Sequence, residues 1–82
     1  MTNKQLDALI LMVNQISANN EHYGSEEAAE RVSKHLKGFW ARSMKQLIIS
    51  YMSENGADLS PIARRSIELL SNAYPEMKSA QL

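Results

Sequence analysis

The chain has 82 residues, with nine basic side chains against nine acidic ones and no cysteine. Its neutral balance excludes a global field that would draw it onto nucleic acid or an anionic membrane. The missing thiols exclude disulfides, a cysteine nucleophile and cysteine-held iron–sulfur clusters. The longest apolar run, residues 8–13, is too short to span a bilayer. No leader pattern is visible, so the expectation is one small cytoplasmic domain.

In chain order, Leu6, Leu9, Ile10, Val13 and Ile16 recur at helical spacing and form one narrow stripe. Thr2 or Asn3 is a suitable cap, and the stretch ANNEHYG ends the helix. Leu11 and Met12 are apolar but lie off this stripe. Ser25 reads as the next N-cap, with Glu26 and Glu27 suited to the positive end of a helix. The following stripe is Ala29, Val32, Leu36 and Phe39 or Trp40, continued by Trp40, Met44, Leu47, Ile48 and Tyr51. Gly38 suggests two helices with a bend between them, although one continuous helix also satisfies the spacing.

ENGAD reads as a turn, and Ser60 followed by Pro61 is a helix start. Ala63, Ile67, Leu70 and Tyr74 give its stripe, and Pro75 ends it. No segment alternates at period two for long enough to make a strand. The expected fold is all-α, a compact three- or four-helix bundle over residues 1–74, with a flexible C-terminal tail at 75–82.

Catalytic signatures are lacking. His22 and His35 have no further ligand at metal-site spacing, the scattered glycines make no phosphate cradle, and no serine sits in a nucleophile elbow. Glu26, Glu27 and Glu30 are explained by the helix start they occupy. No cofactor, metal or catalytic residue is assigned.

The informative stretch is HLKGFWARSM, which holds the only Phe and the only Trp of the chain. Residues 31–53 contain no acid, while Arg31, Lys34, Lys37, Arg42 and Lys45 supply cations. The plain explanation is a solvated helix face, with Trp40 in the core. The alternative is an interaction face, because Arg and Trp are enriched where binding energy concentrates. A helical nucleic-acid binder, using Arg64 and Arg65, fits less well because the domain lacks a basic excess. Self-association into a homodimer is a third reading, since off-stripe apolar residues can be hidden that way.

Three blocks, LILMVNQISANN, AAERVSKHLKGFWARSMKQLI and GADLSP, occur in that order. The chain thereby resembles the small delta subunit of bacterial NAD-dependent molybdenum formate dehydrogenases over residues 6–70. The pattern His35, Phe39, Trp40, Met44 is its most telling part. The resemblance implies a non-catalytic accessory subunit that binds larger subunits, which carry the molybdenum cofactor, iron–sulfur clusters, flavin and NAD site, and supports assembly or activity of that complex. On this basis the expected partner-binding residues are Asn14, Gln15, Arg31, Lys34, His35, Phe39, Trp40, Arg42 and Lys45. Asn14 and Gln15 join the set because they fall beside the off-stripe Leu11 and Met12.

Overall fold

The computed structural model describes residues 3–79, and Ser79 only in its backbone. Four helices, α1 (Lys4–Asn20), α2 (Ser25–Phe39), α3 (Arg42–Glu54) and α4 (Pro61–Ala73), form the body, and a single turn, α5 (Pro75–Ser79), follows. Among the described residues there is no strand. The Cα radius of gyration, 11.6 Å, is about that of a close-packed chain of this length. The all-α bundle expected from periodicity is the observed fold.

Each helix boundary has a local cause. Asn3 caps α1, its Oδ1 accepting from the Leu6 N–H at 3.1 Å. A 3₁₀ turn (Glu21–Tyr23) then leads to Gly24, whose φ of +90° reverses the chain at no Cβ cost. Gly24 is therefore the N-cap of α2, and Ser25 is its first helical residue, one place later than a serine cap would require. Glu26 and Glu27 occupy the first turn, as dipole compensation favours. Ser60 caps α4 by accepting from the Ala63 N–H at 3.3 Å, with Pro61 at the first position.

Two helices, not one, span the middle of the chain, but the break falls after Gly38. α2 runs through Gly38 and ends at Phe39. Trp40 then turns extended (φ −84°, ψ 139°) while its N–H still donates to the Leu36 carbonyl at 2.9 Å. α3 starts two residues on.

The core is built from Leu9, Ile10 and Val13 of α1, Val32 and Leu36 of α2, Ile48 and Ile49 of α3, and Ile67 and Leu70 of α4. The most extensive helix contact is between α2 and α4. Ala28, Ala29, Ala63 and Ser66 are all fully buried, and such small side chains let two helix backbones come close. The buried hydroxyls of Ser17, Ser66 and Ser71 donate to carbonyls three or four residues back. Among the described residues no buried side-chain polar atom lacks a partner.

The region read as a flexible tail from residue 75 is organised up to residue 79, and residues 80–82 lie outside the described residues. Pro75 ends α4, as expected, and also opens α5, because its fixed φ suits a first helical position. Met77 of α5 is fully buried in the core. Its carbonyl accepts from Gln46 Nε2 at 3.1 Å, which fastens α5 to α3. A five-residue segment offers too little periodicity to be recognised from sequence. Replacing Met77 with Ala should lower unfolding free energy by about 2 kcal/mol or more, as for other core truncations. A loss below about 0.5 kcal/mol in urea titration would place Met77 with ordinary surface positions instead.

Candidate functional site

The end of α2 separates two adjacent aromatics. Val32, Leu36 and Trp40 follow one i, i+4 ladder into the core, and Trp40 is 6% exposed. His35 and Phe39 follow another, on the outside, and Phe39 is 78% exposed. The His35 and Phe39 rings lie 4.9 Å apart between centroids, tilted by 32°. The outward aromatic is thus Phe39, whereas the sequence offered either residue for the stripe.

Between α1 and α2 runs an open groove of roughly 710 Å³. Ile16 and Asn20 form its α1 side, and Glu27, Glu30, Arg31, Lys34, His35 and Phe39 lie along its α2 side. Arg31 donates to Glu27 through Nε at 3.1 Å, with Nη2 in ion-pair contact at 3.1 Å, and its guanidinium stands 3.8 Å from the centroid of the Tyr23 ring. From sequence Ile16 reads as a core-stripe residue, Glu27 as a helix-start acid, and Asn20 and Tyr23 only as part of the stretch that ends α1, because a groove between two helices has no signature in either one alone.

The remaining expected contact residues divide into internal and outward ones. Lys45 is buried. Its Nζ donates to the Lys37 carbonyl at 2.8 Å and to the Tyr74 hydroxyl at 3.1 Å, and so holds the C-terminal turn of α2 to α3 and the α4–α5 junction. A cation at that end of a helix is favoured by the dipole. Arg42 pairs with Glu76 of α5 at 3.2 Å, with both side chains well exposed. Asn14 uses both ends of its amide on the α3–α4 loop: Nδ2 donates to the Asp58 carbonyl, and Oδ1 accepts from the Ser60 N–H, each at 2.9 Å. Gln15 is exposed and reaches only Asn19 of its own helix, at 3.3 Å. Lys34 and Lys37 are exposed and, among the described residues, have no carboxylate within ion-pair distance. The acid-free window therefore leaves Lys34 with His35 and Phe39 on the groove and Lys37 on another side of α2, and not five free cations.

The α4 arginines are engaged within the chain. Arg64 Nη2 donates to the Gly56 carbonyl at 2.6 Å. Arg65 grips Glu26 with Nε and Nη2 at 3.1 and 3.0 Å, and reaches Glu68 through Nη1 at 3.0 Å. The hydrogen bond from Arg65 is the chief cause holding the Glu26 carboxyl below its ordinary range. The same bond raises the Arg65 guanidinium, with Glu68 adding to it. Among the described residues, no group of three His, Asp or Glu side chains is placed to hold a metal ion. Nor is any helix there long and apolar enough to cross a membrane.

Fold and surface together define a small all-helical protein that carries an exposed aromatic, packed on His35 and sharing its groove with Lys34, beside an open interhelical cleft. Its residues 8–67 match the family model of the NADH-dependent formate dehydrogenase delta subunit, FdsD, and the chain belongs to that family. Among curated proteins and among solved structures, none matches the chain at a significant level.

Lys45→Met keeps the aliphatic stem and removes the ammonium. It should cost roughly 1.5–3 kcal/mol, the range for hydrogen bonds to a charged group, and denaturant midpoints compared with Tyr74→Phe will show which partner matters more. For Glu26 the folded pKa is depressed, so its contribution is present above the ordinary value of 4.5 and is lost as pH falls through the folded value. The difference in melting temperature between the native chain and Glu26→Gln should be visible at neutral pH. It should disappear at low pH, and it should shrink in high salt because the pair is exposed.

Proposed function

We propose that the chain is a non-catalytic accessory subunit that binds larger subunits of an NADH-dependent formate dehydrogenase complex and supports its assembly or activity. Family membership supports the setting. The observation that carries the docking mode is Phe39, 78% exposed at the end of α2, with His35 packed on it and Lys34 in the same groove. An exposed Phe gains about 1.5–3 kcal/mol on full burial, enough to anchor one contact. Lys34 and Lys37, which make no ion pair among the described residues although Glu27 and Glu30 line the same groove as Lys34, favour an acidic partner surface and reject a basic one. Trp40 and Lys45 act from behind: one closes the core under this corner and the other ties down the α2 terminus. Redox cofactors reside, on this reading, in the larger subunits.

Co-expression with a tagged larger subunit tests the reading. The native chain should be retained with it. Phe39→Ala should weaken retention about 10- to 100-fold, the equivalent of that burial energy. The pair Lys34→Glu and Lys37→Glu should weaken it most at low salt. Native-like retention of both variants would remove this corner from the interface, and failure of the native chain to be retained would remove the accessory role.

A further inference from the structure

Beyond a first turn that carries exposed Lys4 and Asp7, α1 is a surface helix whose outward face lacks the usual surface chemistry. No ionisable side chain occurs in residues 8–20, although roughly a fifth of the whole chain is charged. At about 100° per residue, Ala8, Leu11, Met12 and Gln15 share the side opposite Leu9, Ile10 and Val13. All four are exposed, with Leu11 at 71% and Met12 at 42%. The contrast with α2 is direct, since the outward residues there include Glu26, Glu27, Glu30, Arg31 and Lys34. Absence of charge around exposed Leu11 and Met12 matches the charge depletion of an interface centre and not the composition of a solvated surface. The face also runs toward the corner already described. One turn beyond Met12 stands Ile16, which borders the groove whose other wall carries His35 and Phe39.

We infer that the uncharged outer face of α1, centred on Leu11 and Met12, is the apolar half of the docking surface and receives an uncharged, apolar helix face of a larger formate dehydrogenase subunit, whose acidic flank meets Lys34 and Lys37. The inference rests on the accessory-subunit reading and adds the chemistry of the partner. Size and charge argue against a second copy as the occupant. The uncharged residues 8–20 of α1 give a strip about 20 Å long, and at about 10 Å width its area is roughly 200 Å². A standard interface buries about 800 Å² on each side, so strip against strip is too small. Extending a self-contact across the groove to Phe39 uses the same patch on both copies. That brings the unpaired lysines of one copy toward those of the other, where like charges repel. An acid-flanked apolar helix satisfies both halves.

The test uses the full chain co-expressed with the larger subunits, one of them tagged, and reads the chain retained per tagged subunit after low-salt and high-salt washes. Leu11→Lys places a charge at the centre of the strip, and Leu11→Gln is a milder second variant. At an exposed site both should leave the melting temperature unchanged. Leu11→Lys should reduce retention at least tenfold, and by the same factor at both salt concentrations, because the lost contact is apolar. The loss for Lys34→Glu with Lys37→Glu should shrink in high salt. If the native chain is retained and both Leu11 variants are retained within twofold of it, the α1 face lies outside the dock, while the accessory role stands. If the native chain is not retained, both conclusions fall. If Leu11→Lys abolishes a concentration-dependent dimer in sedimentation and leaves retention unchanged, the occupant is a second copy and the inference is overturned.

Discussion

The arrangement depends on where α2 stops. Phe39 is its last helical residue, and Trp40 leaves the helix extended while its N–H still satisfies Leu36. That single change of backbone direction sends an indole inward, next to Leu36 and Ile48 in the core cluster, and leaves a phenyl ring outside. A helix continuing through residue 41 would carry α3 on in line with α2 and away from the core it now closes. The bundle and its surface aromatic therefore share one cause.

The second constraint is electrostatic. A small neutral chain has few charges, and this one uses many of its cations to tie elements together. Arg65 bridges α4 to α2, Arg64 closes the turn at Gly56, Arg42 reaches α5, and Lys45 covers carbonyl oxygen at the end of α2. The surface pairs contribute little individually, since solvent and salt screen them. The Lys45 contacts, made from a buried ammonium, contribute more. The outward positive character that remains is local, at Lys34 on the groove with Phe39 and at Lys37 on another side of α2. On the proposed reading that locality is useful: it orients a partner without making the whole domain cling to any polyanion.

Membership in the formate dehydrogenase delta subunit family gives this surface a setting. A domain of this size has room for one modest core, and here the core takes nearly all the large apolar side chains. Leu11, Met12 and Phe39 are exceptions of substantial area. They lie on two helices that flank one groove, one group on an uncharged face and the other beside a wall of mixed charge in which Lys34 makes no ion pair. That division supports a contact in which apolar burial holds the subunits together and charge sets their orientation.

Sequence alone determined the helical class, the stripes of α1 and α4, the Ser60–Pro61 start, and the presence of an aromatic pair in an acid-free window. These features are encoded within a few residues of each other, by periodicity and capping. The resemblance carried by the blocks around Asn14, His35–Met44 and Gly56–Pro61 led to the family. Tertiary structure alone decided which aromatic faces outward, since either of two neighbours can fit a stripe until the helix end is placed. It alone also decided that Asn14 serves the α3–α4 loop, that Lys45 is buried, and that Met77 anchors α5. Those outcomes depend on partners 44, 8, 29 and 31 residues away, and no local pattern records which distant carbonyl or hydroxyl a side chain will meet once the helices have packed.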